Sequence, residues 1–221
     1  MNLKDLYNYK KGEDCYILAC GPSLNKYDNN QTRELLKDKV VFSIKQAYER
    51  FKKETDFHFW NCSNLPIDYM NIPYRYTDHR PEVVVVSSNY PRGKKWNLDQ
   101  EYDLFFQIPL IEQIGGKDNC LAAKKNYDDF LLEKTGEQRQ TGPGIMLETV
   151  FYTAVHAGVK SITTIGYDLD KHGSHFYKEE EKVFMDNKGC EIPWDMVLNA
   201  AAVDSVRDWL NSKNIELNIL G

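Results

Sequence analysis

Short apolar runs alternate with helical patterns along the first part of the chain. The apolar runs cover residues 15–20, 40–44, 57–65 and 83–88, and each one ends in polar residues or glycine. Buried parallel strands that enter tight loops have this pattern. Helical patterns occupy residues 31–37 and 46–53. The alternation predicts an α/β fold, namely a Rossmann-like, mostly parallel sheet with helices on both faces.

The alternation weakens over residues 90–137, where proline, glycine, lysine and aromatic residues are frequent. Residues 104–111 are the strongest apolar segment there, and residues 122–134 predict a helix. Long irregular segments inside compact domains are often functional loops. We therefore predict a small lid or acceptor-binding insertion in this region.

Regular elements return in the last third of the chain. Residues 145–158 predict an apolar helix that Gly158 caps, and residues 161–166 predict a strand. A helix over residues 194–211, with Trp209 and Leu210 toward the core, precedes a final strand at residues 215–220. We expect residues 1–221 to form one domain.

The composition of the chain argues against nucleic-acid-binding and membrane-spanning proteins. The formal net charge of -5 gives no broad basic surface for nucleic acid. Five cysteines, without a C-x-x-C pair, are typical of a reduced compartment, and a cytoplasmic location is expected. The sequence has neither a signal-peptide core nor a run of the roughly 20 apolar residues that span a membrane, so no transmembrane segment is predicted.

Gly21, Pro22 and Ser23 directly follow the first predicted strand, with Cys20 beside them. A glycine at this place allows backbone N–H groups to approach a phosphate or ribose, and open α/β sheets bind ligands at strand carboxyl ends. The alternative is an ordinary turn, because neither a Walker loop nor a complete G-x-G-x-x-G pattern is present. Cys20 is a candidate lining residue.

Arg139, Thr141 and Gly142 precede the helix at residues 145–158. Free N–H groups at a helix start attract anions, and an arginine can bind a phosphate or a sugar carboxylate through two parallel bonds. In the alternative interpretation Thr141 is only a helix cap and the glycines only a turn.

Residues 166–177 form a polar and aromatic loop after the strand at residues 161–166. His172 and His175 have ordinary pKa values suited to proton transfer, and Asp168 is either functional or a turn former. A metal site built from these residues and Asp170 is a weaker alternative, because the spacing of known zinc motifs is absent.

Three blocks together resemble the bacterial lipooligosaccharide sialyltransferases: YILACGPSLNKYD, QRQTGPGIM and GVKSITTIGYDLDKHGSHFY. In that family a Gly-Pro-Ser loop, an Arg-x-Thr-Ser-Gly block and a Gly-x-Asp-x-x-x-x-Gly-Ser loop occur in this order. The same skeleton is similar to the motility-associated flagellin glycosyltransferases and the archaeal hydroxymethylpterin diphosphokinases. The resemblance implies a modified Rossmann domain that transfers a sugar from a nucleotide donor, classically CMP-sialic acid, with inversion and without a required metal or other cofactor.

The resemblance also implies roles for single residues. Gly21, Pro22 and Ser23 become the nucleotide loop, and Asn61 becomes the asparagine after the third strand that holds nucleotide or sugar. Arg139, Thr141 and Gly142 would contact phosphate or glycosyl carboxylate. The loop around the leaving phosphate would comprise Asp168, Gly173 and Ser174, with Phe176 or Tyr177 near a family tyrosine. Asp170 of the same loop is a candidate substrate-binding residue.

The chain departs from the family pattern at three places. Lys45 and Cys20 stand where the family has asparagines, and a lysine suits a second phosphate. The family's catalytic histidine has no counterpart before the last helix. His175 and His172 are the candidate acceptor bases, followed by Asp195, while Asp168 is a further catalytic candidate with a more structural place in the family pattern.

These observations lead to the hypothesis of a glycosyltransferase that moves sialic acid or a related sugar from a nucleotide-activated donor to a glycan or lipid-linked glycan. An ATP-dependent pyrophosphokinase-like enzyme and a non-catalytic nucleotide-binding protein stay open as alternatives. Family members often assemble, so homo-oligomer formation is an expectation of the resemblance.

Overall fold

The computed structural model describes residues 1–62, 76, 78–88, 102–169 and 194–221. Seven parallel strands within them form one sheet in the order β5-β4-β3-β2-β1-β6-β7. The strands are β1 Asp14–Leu18, β2 Val40–Ile44, β3 Phe57–Cys62, β4 Val83–Ser88, β5 Leu104–Gln107, β6 Ser161–Ile165 and β7 Glu216–Leu220. The predicted Rossmann-like fold class is confirmed.

The strand order creates a switch point between β1 and β6. The strands β2 to β5 extend the sheet on one side of β1, whereas β6 and β7 extend it on the other. Leu18 at the end of β1 lies in register with Ser43 of β2 and Ile165 of β6. In open parallel sheets, ligands bind outside the carboxyl ends of the strands at such a point.

Helices cover both faces of the sheet. Their bounds are α1 Leu3–Leu6, α2 Leu24–Tyr27, α3 Asn30–Leu36, α4 Ala47–Arg50, α5 Leu121–Lys124, α6 Leu132–Thr135, α7 Phe151–Ala157 and α8 Trp194–Ser212. Short 3₁₀ turns at Lys117–Asn119 and Asp128–Phe130 and a π-helical segment at Met146–Val150 complete the list.

Two apolar layers hold these helices on the sheet. The larger layer joins α5 to α8 to one face and includes Phe42, Phe59 and Phe151. The opposite face carries Leu24, Leu36 and Phe51 from the α2 to α4 region, with a separate cluster around Trp60 farther along the sheet. Burial on both faces explains why β2 and β4 are continuous apolar runs in the sequence.

The structure refines several predicted elements. Part of the predicted insertion at residues 90–137 forms the edge strand β5, while residues 90–101 lie outside the described residues and the lid role stays a prediction. The helix predicted over residues 122–134 is wrong as one element, because Lys125 has a φ of +53° and divides it into short turns. The predicted cap is confirmed: Gly158 has a φ of +79° and its N–H donates to the last turn of α7.

None of the described helices is both long and apolar enough to cross a membrane.

Candidate functional site

The loops that follow β1 and β6 are bonded to each other at the switch point. The backbone N–H of Gly21 donates to the carbonyl of Gly166 at 2.7 Å. The backbone N–H of Ser23 donates to the Asp168 carboxylate oxygen Oδ2 at 2.8 Å. Two blocks that are 145 residues apart in the sequence therefore form one structural unit at the carboxyl edge of the sheet.

This contact requires glycine at two positions. A Cβ atom on Gly21 would lie 2.4 Å from Asp168 Oδ2 and 2.5 Å from the Gly166 carbonyl oxygen. Gly166 has a φ of +74°, and a Cβ there would lie 2.5 Å from the carbonyl oxygen of Ala19. Real side chains do not tolerate such distances, so the sequence keeps both loops free of side chains where they meet.

A pocket of about 370 Å³ opens beside these loops. Ser23, Lys26 and Asp168 contribute polar groups to its wall, while Leu169 and Ile219 contribute apolar ones. Its volume lies within the range of small-molecule sites, and a mixture of apolar walls and few polar groups is typical of them. The pocket is therefore the candidate ligand site.

Ser23 lines the pocket, and its hydroxyl is buried without a hydrogen-bond partner among the described residues. The residue is 6% exposed. A buried hydroxyl without a partner costs about 1–3 kcal/mol. A ligand that hydrogen-bonds to Ser23 Oγ would recover part of that energy.

Lys45 follows β2 at the same edge of the sheet. Its φ of +47° is left-handed, a conformation that costs a non-glycine residue roughly 1–2 kcal/mol. Burial raises the pKa of the Cys20 thiol, and the nearby Lys45 ammonium opposes that rise. Cys20 Sγ also donates to the Ile44 carbonyl at 3.1 Å. A positive charge thus lies beside the residue that precedes Gly21.

Asn61 and Ser87 are the last residues but one of the neighbouring strands β3 and β4, and they lie in register with each other. Asn61 Oδ1 and Ser87 Oγ are both buried and lack hydrogen-bond partners among the described residues. Asn61 is a site residue predicted from the sequence, whereas Ser87 is not. The polar end of the VVVVSS run was the available signal, because a serine there breaks an otherwise apolar strand.

Asn199 of α8 links the remaining blocks and was also missed from the sequence. The Tyr167 hydroxyl donates to Asn199 Oδ1 at 3.0 Å, and Asn199 Nδ2 donates to the Pro143 carbonyl. The loop after β6 is therefore joined to the turn that contains Gly142. A lone amide within the apolar stretch of α8 was the only sequence signal.

Arg139 lies in the core, with 2% of its surface exposed. Its Nε donates to the Glu148 carbonyl at 3.1 Å, and Nη1 donates to the Phe130 carbonyl and to Thr135 Oγ1. The guanidinium lies 4.5 Å from the ring centroid of Tyr152, and burial lowers its pKa to about 10. These contacts satisfy Nε and Nη1, whereas Nη2 is buried without a hydrogen-bond partner among the described residues. Contact with a phosphate or glycosyl carboxylate stays a prediction.

The rest of the Arg139 block packs against the protein in a similar way. The Thr141 hydroxyl donates to the Pro109 carbonyl, and no side-chain cap is seen at the start of the helical segment. A Cβ on Gly142 would lie 3.1 Å from Leu147 Cβ and 3.2 Å from the Glu148 backbone nitrogen. Gly142 therefore permits close packing of the turn on the π-helical segment, and its predicted ligand contact is not tested by this geometry.

Several predicted site residues lie outside the described residues. They are Asp170, His172, Gly173, Ser174, His175, Phe176 and Tyr177, together with the side chain of Asp195. Within the described ranges, no group of three or more His, Cys, Asp or Glu is arranged to hold a metal ion. The acceptor base therefore stays a prediction on the loop after Leu169.

No protein-family model matches the chain, and no curated protein sequence matches it significantly. Among solved structures, the MAf glycosyltransferase from Magnetospirillum magneticum AMB-1 is similar, with a TM-score of 0.41 and 12% sequence identity. The similarity covers 76% of this chain and 27% of that chain, so this chain spans well under half of that protein's length. Similarity of this extent does not assign the chain to a family.

Proposed function

We propose that this chain is a glycosyltransferase that binds a nucleotide-activated sugar at the switch point between β1 and β6. The observation that carries the proposal is the bond between Ser23 N–H and Asp168, which joins two loops beside a pocket that both residues line. The Ser23 hydroxyl is buried there and has no hydrogen-bond partner among the described residues. The resemblance of three sequence blocks to nucleotide-sugar transferases adds the reaction class.

The surroundings of the pocket favour an anionic donor. Lys26 lines it and forms no ion pair within the part of the chain that is described. Lys45 lies beyond it, close to Cys20, and likewise has no carboxylate partner among those residues. Ammonium groups without a carboxylate partner among the described residues would attract a nucleotide phosphate.

In the proposed reaction the acceptor hydroxyl attacks the sugar carbon that carries the phosphate, and the nucleotide leaves with the bonding electron pair. His175, or His172 in its place, removes the acceptor proton. Asn61 Oδ1 would accept a hydrogen bond from the sugar nucleotide, and the Ser87 hydroxyl would accept or donate one; both oxygens lack partners among the described residues. The donor is a nucleotide-activated sugar, either CMP-sialic acid or a nucleoside diphosphate sugar, and the acceptor is a glycan or lipid-linked glycan.

A turnover assay tests this proposal. The purified chain is incubated with CMP-sialic acid and with UDP-, GDP- and ADP-sugars, and free nucleotide is separated by chromatography. Release of nucleotide from one donor, reduced in His175→Ala or His172→Ala, is the expected result. Binding without release from any donor would support the non-catalytic alternative.

Lys45 is the observation that favours the second candidate, an ATP-dependent pyrophosphokinase-like enzyme, because a second phosphate would use its charge. In that reaction an acceptor hydroxyl, with magnesium present, takes the terminal pyrophosphoryl group of ATP, loses its proton and releases AMP. AMP formation without any sugar nucleotide would therefore replace the glycosyltransferase proposal.

A further inference from the structure

The backbone of Lys45 is held on both sides by β3. Its N–H donates to the Phe59 carbonyl at 2.7 Å. Its carbonyl lies 3.0 Å from Nε2 of His58. With a φ of +47°, Lys45 is one of four non-glycine residues with positive φ among the described residues. Both backbone polar groups of this unfavourable conformation are thus fixed by the neighbouring strand.

The bonding pattern sets the protonation of His58. A carbonyl oxygen only accepts hydrogen bonds, so Nε2 carries the proton that it donates to Lys45. The other ring nitrogen, Nδ1, lies 2.7 Å from the Tyr76 hydroxyl. Complete burial lowers the pKa of His58 to about 3, so the ring is neutral and Nδ1 accepts from Tyr76.

Two aromatic rings fix the orientation of the imidazole. Tyr48 stacks on His58 with ring centroids 4.5 Å apart and an angle of 22° between the planes. Tyr76 stands nearly perpendicular to it, at 5.8 Å and 84°. The Tyr48 hydroxyl donates to the His79 carbonyl at 2.6 Å, which fixes Tyr48 in turn. The imidazole therefore presents Nε2–H to Lys45 in one defined direction.

We propose that His58 is a positioning residue that holds Lys45 in its left-handed conformation and thereby places the Lys45 ammonium beside the Cys20–Gly21 turn, where it binds the second phosphate of a nucleoside diphosphate group. This inference rests on the proposed nucleotide site. It assigns the donor to the nucleoside diphosphates rather than the nucleoside monophosphates. It also makes the buried His58 responsible for that preference. A purely structural His58 would fill space in the core without any effect specific to residue 45.

A double-mutant cycle separates these two roles. The wild type, His58→Phe, His58→Gln, Lys45→Ala and the His58→Phe/Lys45→Ala double variant are titrated with inorganic pyrophosphate by calorimetry. We expect His58→Phe and Lys45→Ala each to weaken binding about tenfold, the effect of losing one charge-assisted hydrogen bond, and the double variant to bind no more weakly than Lys45→Ala. His58→Gln keeps an N–H donor and should retain most of the affinity. An equal loss from His58→Phe in both backgrounds, or no loss in either, contradicts the inference.

Carbon-13 chemical shifts of Lys45 in the unliganded protein supply a second readout. The Cα and Cβ shifts report the backbone region of a residue. We expect left-handed values in the wild type and in His58→Gln, and altered values in His58→Phe. Unchanged Lys45 shifts in folded His58→Phe would overturn the positioning role, whatever the binding result.

The outcomes also separate this inference from the proposed function. If the wild type binds CMP but not pyrophosphate, the diphosphate inference is wrong and the nucleotide site stands. If it binds no nucleotide and no pyrophosphate, both are wrong.

Discussion

The carboxylate of Asp168 accepts a 2.8 Å hydrogen bond from the backbone N–H of Ser23 and thereby joins the loops on the two sides of the switch point. The same oxygen, Oδ2, lies where a side chain on Gly21 would have to be. Asp168 therefore shapes the pocket rather than standing free in it. This geometry favours a structural role for Asp168 in joining the two loops.

Asp168→Ala should weaken both the loop contact and nucleotide binding. Loss of a hydrogen bond to a charged group is expected to lower the free energy of unfolding by about 1.5–3 kcal/mol. Asp168→Asn retains an oxygen acceptor for Ser23 N–H and should lose less of both. Urea denaturation and nucleotide titration measure the two effects. Equal losses of stability and of nucleotide affinity in the two variants would show that the hydrogen bond from Ser23 N–H to Asp168 is not the cause of those losses.

Gly21→Ala should damage the site through a steric clash. The added methyl group would meet Asp168 Oδ2 and the Gly166 carbonyl, and overpacking of this kind costs about 1–3 kcal/mol. Gly12→Ala is the matched control, because Gly12 has a φ of +79° but no atom within 4 Å of a new Cβ. We expect Gly12→Ala to reduce stability by about 1 kcal/mol through backbone strain alone and to leave nucleotide affinity unchanged. Normal nucleotide affinity in Gly21→Ala would show that this turn does not take part in ligand binding.

Arg139→Ala should destabilise the protein, because three donated bonds inside the core are lost. We expect the free energy of unfolding to fall by about 2–4 kcal/mol. The sequence alone predicts the opposite, an intact fold with donor binding abolished. Thermal denaturation measures the loss of stability, and titration with the donor well below the melting temperature measures the loss of affinity. An unchanged melting temperature with lost donor affinity would show that Arg139 binds the ligand and does not stabilise the fold.

Asp14 should make stability depend on pH at the amino edge of the sheet, far along the strands from the candidate site. The Ser161 hydroxyl at 2.7 Å and the Lys39 ammonium at 2.9 Å lower the pKa of Asp14 from 3.8 to about 2. A depressed carboxyl pKa stabilises the fold above the unfolded value, and this stabilisation is lost as pH falls from about 4 to about 2.

The melting temperature of Asp14→Asn, compared with the wild type, measures this dependence. The difference should be constant at neutral pH and shrink through that acidic window, with nucleotide affinity unaffected. A difference that does not change with pH would contradict the assignment.

The sheet could be predicted largely because its strands are buried on both faces. The apolar runs at residues 40–44 and 83–88 coincide with β2 and β4. The edge strand β5 is a four-residue element close to Pro109 and was not separable from an irregular insertion. The break at Lys125 follows from a left-handed residue that no local pattern marks.

The site could be predicted only in part, because its polar contacts join distant segments. Glycine and aspartate at strand ends marked the loops that meet at the switch point. A charged Arg139 is ordinarily expected at the surface, so its burial against Tyr152 was not foreseeable from residue type. Asn199 and Ser87 are single polar residues in apolar elements, and their positions acquire meaning only once the elements are assembled.

The most direct test of the nucleotide site is a titration of the wild type, Ser23→Ala and Ser43→Ala with CMP, UDP, GDP and ADP. Both serines are buried, but Ser43 Oγ is bonded to Thr55 Oγ1 at 2.7 Å whereas Ser23 Oγ is unpaired among the described residues. We expect one nucleotide to bind the wild type and raise its melting temperature. Ser23→Ala should lose about tenfold in nucleotide affinity with its unliganded stability equal to or above that of the wild type, and Ser43→Ala should lose about 1 kcal/mol of stability with its affinity intact. Absence of binding to any nucleotide, or equal affinity in Ser23→Ala and the wild type, would contradict the proposed nucleotide site.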